Sequence, residues 1–139
     1  MSNKIIALRG RGCSGKTTTI NMLPAILTSN GYTQVPNMYQ NYGSDFLDVY
    51  EKGNTRVGLT SSGDTFDLVN DRLTELVGHG CQICICACRT YDRVPPGTIA
   101  ATQNFPGYQN ECVDKTYANS ADNQIIANQK DAAIIFRRI

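Results

Sequence analysis

The sequence has almost no excess of either charge. Its 139 residues hold 13 Lys and Arg against 12 Asp and Glu, a formal net charge of +1, and no four basic residues are consecutive. Proteins that bind polyanions usually present a basic field, so neither nucleic acid nor an anionic membrane is indicated as a partner. The chain also lacks an apolar stretch of the roughly 18 residues that a spanning helix needs. The first apolar run, Ile5 to Leu8 behind one lysine, is too short for the core of a secretory signal. These absences predict a cytoplasmic protein with no membrane partner. No repeat or linker-like stretch divides the chain, so residues 1–139 are expected to form a single domain around one core.

Cysteine is the exception to this sparseness, at positions 13, 81, 84, 86, 88 and 112. In a cytoplasmic chain these thiols are expected to be reduced. In CQICICACR, Cys84, Cys86 and Cys88 alternate with Ile83, Ile85 and Ala87. A strand sends alternate side chains to opposite faces, and here both faces are apolar, which predicts a buried central strand. A metal site at His79, Cys81 and Cys84 is the competing reading. Structural zinc sites usually pair two turns of two-residue spacing, and there is no second pair.

The most specific stretch is KIIALRGRGCSGKTTTI. Lys4 to Leu8 reads as a buried strand. From Thr17 onward, Ile20, Leu23, Ile26 and Leu27 fall at helical spacing, with Pro24 predicted to bend the helix and Asn30-Gly31 to end it. Between strand and helix lies GRGCSGKT, Gly10 to Thr17, which satisfies G-x-x-x-x-G-K-[ST] at every fixed position. Such a loop suits a triphosphate. Gly10, Gly12 and Gly15 let backbone amides turn inward and approach the oxygens closely. Lys16 supplies a mobile cation, and the following helix supplies unpaired N–H groups.

On these residues the chain resembles the P-loop NTPases, through their Walker A motif, and most closely the small nucleotide and metabolite kinases among them. The resemblance covers eight residues directly. It implies a three-layer α/β fold, with a mainly parallel sheet centred on Lys4–Leu8, Thr55–Thr60 and Gln82–Ala87, helices on both faces and one antiparallel hairpin. It implies binding of Mg2+ with ATP or another nucleoside triphosphate by Gly10, Arg11, Gly12, Cys13, Ser14, Gly15, Lys16, Thr17 and Thr18. Thr17 would offer its hydroxyl to the metal, and Thr18 would donate to an inner phosphate. A second, acidic metal group is expected at the end of another strand. Asp64, closing TRVGLTSSGD, is the candidate, and an N-cap for the next helix is its alternative role. FLDVYEKGNTRVGLT reads as a hairpin turning at Gly53-Asn54.

The rest of the chain alternates. TFDLVNDRLTELVGHG has a helical period, and QICICACR is the next strand. Arg89 then lies at the strand's carboxyl end. It reads either as a phosphate- or substrate-contacting group, with Arg93 a second candidate, or as a loop arginine paired with Asp92. Lys16, Asp64 and Arg89 are thus the catalytic candidates, with Asp45 or Asp48 available as a base. ECVDKTYA, Glu111 to Ala118, is expected to form the last strand. NQIIANQKDAAIIFRRI is expected to form a helix with Ile125, Ile126, Ala132, Ile135 and Phe136 toward the core. Gln34–Asp45 and Thr98–Gln109 give no assignment.

Missing motifs narrow the function. There is no D-x-x-G after Asp64, and NQKD, Asn128 to Asp131, places its lysine one position late for the guanine-reading N-K-x-D. L-S-G-G-Q is absent. What remains is Mg-dependent phosphoryl transfer from ATP to a small acceptor. The alternative is an ATPase switch or nucleotide sensor that regulates a partner protein.

Overall fold

Ile5, Ile6, Ala7 and Leu8 are all buried in strand β1 (Asn3–Arg9), because both faces of this strand are covered. The structure is a computed structural model that describes residues 3–12, 14–90 and 97–139. The expectations for Cys13, Arg93 and Asp92 lie outside the described residues. After β1 come α1 (Lys16–Ile20), α2 (Leu23–Ser29), β2 (Thr33–Gln34), β3 (Gln40–Tyr42), β4 (Asp45–Lys52) and β5 (Thr55–Thr60). The chain continues through α3 (Phe66–Gly78), β6 (Ile83–Cys88), α4 (Thr98–Thr102), β7 (Tyr108–Asp114) and α5 (Ala121–Arg137).

The strands form one mixed sheet in the order β2-β4-β5-β6-β1-β7, with β3 also pairing β4. Pairings β5–β6, β6–β1 and β1–β7 are parallel, whereas β4 meets β2, β3 and β5 antiparallel. The antiparallel part is therefore larger than the single expected hairpin. That hairpin is present in the expected register, with Lys52 opposite Thr55 across Gly53-Asn54.

Two apolar clusters flank the sheet. Ile6, Leu8, Ile83, Ile85 and Ala87 face α1, α2 and α5 through Ile20, Leu23, Leu27, Ala132 and Ile135. Ile5, Ala7, Cys84, Cys86 and Cys88 face α3 and α4 through Val69, Leu73, Leu76 and Ala101. The three alternating cysteines thus share one face and pack as small apolar side chains. Burial pushes the Cys84 and Cys86 thiols well up, and that of Cys81 to about 12, away from thiolate chemistry. Among the described residues, no group of three or more His, Cys, Asp or Glu is placed to hold a metal ion. Among the same residues, no helix is long and apolar enough to cross a membrane.

Three expectations need correction. The single helix after the glycine loop is two helices. Pro24 has no N–H to continue α1, and it sits instead in the first turn of α2, where none is needed. The last strand begins at Tyr108 and ends at Asp114. Lys115 leaves the sheet because its side chain is drawn inward to Asp131, while its N–H still bonds Arg9 O at 2.8 Å. In α5, Ile125 and Ile126 are 52% and 62% exposed, contrary to the core positions expected of them. Asn128, Asp131, Ala132 and Ile135 take the inner face. Two of these are polar: Asp131 is held by a buried ion pair and two hydrogen bonds from Thr116, Asn128 packs against Gly15, and these contacts decide which way the helix turns.

Candidate functional site

The chain leaving β1 enters α1 and α2 on one face of the sheet, whereas α4, the next helix after β6, packs with α3 on the other. These neighbouring parallel strands therefore part at their carboxyl ends, the geometry that opens a ligand crevice in α/β sheets. The glycine loop ends β1 here, Arg89 follows β6, and Ser61 to Asp64 follow β5, so three segments distant in sequence meet at one edge.

The loop is anchored at both ends. Gly10 N–H donates to Cys88 O at 3.1 Å, and Thr90 N–H donates to Gly10 O at 3.3 Å, which extends the β1–β6 ladder by one step. Ser14 Oγ donates to Arg11 O at 2.7 Å and closes the turn. Gly15 then has φ +91°, a left-handed conformation that favours glycine, and hands the chain to α1. The Lys16 Nζ folds back to donate to Gly10 O at 2.6 Å and Arg11 O at 3.2 Å. Partial burial, then the nearby Arg89 cation, holds the Lys16 ammonium below its ordinary 10.5. Thr17 and Thr18 line the same space. Arg11, by contrast, turns to Tyr117: its N–H donates to Tyr117 Oη at 3.1 Å, and its guanidinium lies 4.2 Å from the ring centroid.

Arg89 reaches across the loop. A Cβ built on Gly12 would stand 3.7 Å from its guanidinium. Its Nη2 donates to Asp64 Oδ1 at 3.0 Å, while its buried Nε has no hydrogen-bond partner among the described residues. Arg89 thus meets Asp64, 25 positions earlier. The helix-cap role is taken by the next residue, for the Thr65 side chain accepts from Leu68 N–H at 3.2 Å. Asp64 therefore has no capping duty and projects, largely exposed, into the crevice.

Gly63 sets that position. A Cβ there would lie 2.7 Å from Ala87 Cβ and within 3.0 to 3.1 Å of the Ala87 carbonyl carbon and oxygen. The segment after β5 is pressed on the end of β6, and no flexible side chain can yield. Gly63→Ala is expected to destabilise the fold by about 2–3 kcal/mol, the upper part of the overpacking range. Urea unfolding reads this directly, and a midpoint equal to that of the parent would show that the close approach is wrong.

Of the two acids that could act as a base, Asp45 lines the crevice, and its Oδ1 accepts from Ser61 Oγ at 3.4 Å. Asp48 does not line it. It is buried in β4, accepting from Gln34 Nε2 at 2.8 Å and Val49 N–H at 2.9 Å. The crevice encloses about 640 Å³, within the roughly 300–1,000 Å³ of small-molecule sites.

The opposite wall comes from α5, which residue patterns do not assign to the site. Gln124, Ile125 and Asn128 line it. The NQKD stretch is not a guanine-reading loop but part of α5, and two of its residues support the crevice. Asn128 lies against Gly15. Asp131 is fully buried, where it accepts from Thr116 N–H and Oγ1, both at 2.7 Å, and pairs with Lys115 Nζ at 3.0 Å. Lys115 in turn backs the loop, its Cβ lying 2.9 Å from where a Gly10 Cβ would be. The only sequence signal for this wall is the polar pair Asn128 and Asp131 at helical spacing.

No protein-family model, curated protein or solved structure matches the chain.

Proposed function

We propose that the crevice binds a nucleoside triphosphate with Mg2+ and passes its γ-phosphoryl group to a small acceptor. The observation that carries this reading is the convergence of Lys16, Arg89, Asp64 and Asp45 on one crevice beside the glycine loop. Phosphoryl transfer asks the protein mainly for positioning and charge neutralisation, and these side chains can supply both. The residues present fit the group. Gly15 already holds a left-handed conformation, Gly12 lies beside the Arg89 guanidinium, and among the described residues the Lys16 ammonium bonds only loop carbonyls.

In this reading Lys16 turns from Gly10 O to the outer phosphates. The Arg89–Asp64 pair is solvent-accessible and worth no more than about 1 kcal/mol, so a phosphate can draw Arg89 away. The unpartnered Nε of Arg89 gains an acceptor in the same move. Asp64 and Thr17 are then left to hold Mg2+, which when bound neutralises charge on the bridging and terminal phosphate oxygens. Asp45, steadied by Ser61, faces the space in which an acceptor hydroxyl would sit and can take its proton.

Asp64→Asn tests this arrangement. Thr65 keeps the cap, and an amide oxygen can still accept from Arg89, so the thermal melt should be unchanged. Nucleotide affinity should fall little, because Lys16 and the loop amides remain. Turnover should drop by roughly 10²-fold, the scale of removing one electrostatic group from a reaction site. ADP release is followed across a magnesium titration, with and without a panel of nucleosides, nucleotides and small metabolites. Acceptor-dependent ADP in the parent supports a kinase, and acceptor-independent ADP points to an ATPase switch. Full activity of the variant at every magnesium level would remove Asp64 from the mechanism.

A further inference from the structure

Asn128, on the α5 wall of the crevice, carries a buried, unanswered atom. It is only 4% exposed, and its Oδ1 has no hydrogen-bond partner among the described residues. A Cβ built on Gly15 would stand 2.9 Å from that oxygen, so the amide is wedged against the loop where the glycines give way to α1. A buried acceptor without a donor costs about 1–3 kcal/mol, so the arrangement is poor on its own terms. A ligand that brings a donor removes that cost.

One turn earlier on α5, Gln124 and Ile125 line the same crevice. Ile125 is a large apolar side chain more than half exposed, which the helix leaves beside the cavity instead of in the core. The wall thus offers an apolar surface, one amide with both a donor and an acceptor, and one buried acceptor. The loop wall has the opposite character, with glycines, Lys16 and two threonines suited to phosphate. A bare phosphate ester would leave Asn128 Oδ1 unanswered, because phosphate oxygens have no donor for it.

We propose that this face of α5 is the nucleoside subsite, where Ile125 packs against a flat ring and Gln124 and Asn128 take hydrogen bonds from the nucleoside. The inference rests on the triphosphate reading above and adds to it the half of the ligand that the loop does not see. The group that Asn128 requires is an N–H or O–H donor. A base exocyclic amino group and a ribose hydroxyl both qualify, and Asn and Gln amides commonly pair with the amino edge of adenine.

The test compares ATP with inorganic tripolyphosphate by isothermal titration, for the parent and for Asn128→Leu. Leu has nearly the same shape and removes the unpaired oxygen, so the variant should melt no lower than the parent. ATP affinity should fall about tenfold or more, and tripolyphosphate affinity should not change. Gln124→Ala, an exposed position, should lower the same ratio by a smaller factor. ATP analogues identify the donor. If the purine triphosphate lacking the 6-amino group is insensitive to Asn128→Leu, the donor is the base; if 2′-deoxy-ATP is insensitive, it is the ribose. Equal losses for ATP and tripolyphosphate would show that Asn128 only props Gly15, and no loss for either would show that it does not meet ligand. Both results overturn the subsite. Failure of the phosphate cradle reads differently, as ATP affinity that survives Lys16→Ala.

Discussion

Lys16→Ala is expected to weaken triphosphate binding by about 10- to 100-fold and to reduce turnover to background, while the protein stays folded. A hydrogen bond to a charged group is worth about 1.5–3 kcal/mol, and each 1.4 kcal/mol is a factor of about ten in affinity. The fold should persist because little depends on the side chain. Among the described residues its Nζ bonds only the carbonyls of Gly10 and Arg11, and Gly10 O keeps the Thr90 N–H as a partner. Truncation also relieves the burial of an ammonium beside Arg89. Titration with ATP beside a thermal melt decides the matter. Unchanged affinity in a folded variant would refute the cradle, and a collapsed melt would show that Lys16 is part of the scaffold.

Asp131→Ala should cost more stability than either Lys16→Ala or Gly63→Ala, about 3–5 kcal/mol. Asp131 and Lys115 are both fully buried at their side chains, with Nζ to Oδ2 at 3.0 Å. Removing the carboxylate leaves an ammonium in the interior with, among the described residues, only Thr116 O at 2.8 Å, and strands the Thr116 N–H and hydroxyl as well. Against a typical total of about 5–15 kcal/mol, the variant would be marginal at best. The double variant Lys115→Met with Asp131→Leu removes both charges and should recover much of the loss. Urea midpoints of the parent, single and double variants form the test. A single variant as stable as the parent would mean that the pair is hydrated. A double variant no better than the single would mean that the Thr116 bonds, not the charges, hold the corner.

Legibility follows burial on two faces. β1, β5 and β6 can be read because short apolar runs suited to burial on both faces leave few alternatives, and α3 because Val69, Leu73 and Leu76 keep helical spacing toward the sheet. The glycine loop announces itself by backbone demands that few other residues meet. β2 and β3 cannot be read, since they are two and three residues long and wholly exposed. β7 starts earlier than its pattern suggests because Tyr108 to Asn110 sit on an edge strand and carry no alternation. The α5 face departs from its pattern for a physical reason: the rule that isoleucine goes inward loses to a buried ion pair and a wedged amide. The pairing of Arg89 with Asp64 depends on β6 lying beside β5, which no local pattern encodes.

The place of β1 in the sheet has a consequence for how the molecule is made. It leaves a ribosome well before its neighbours, β6 at residues 83–88 and β7 at residues 108–114. Until those residues appear, a strand with four consecutive apolar side chains has no partner on either edge. Pairings this distant in sequence slow folding and lengthen the exposure of such a strand. The loop that follows shares the delay, since Lys115 backs Gly10 and Asn128 backs Gly15. A nascent chain that has reached residue 110 therefore carries the entire glycine loop without the Lys115 and Asn128 contacts that back it.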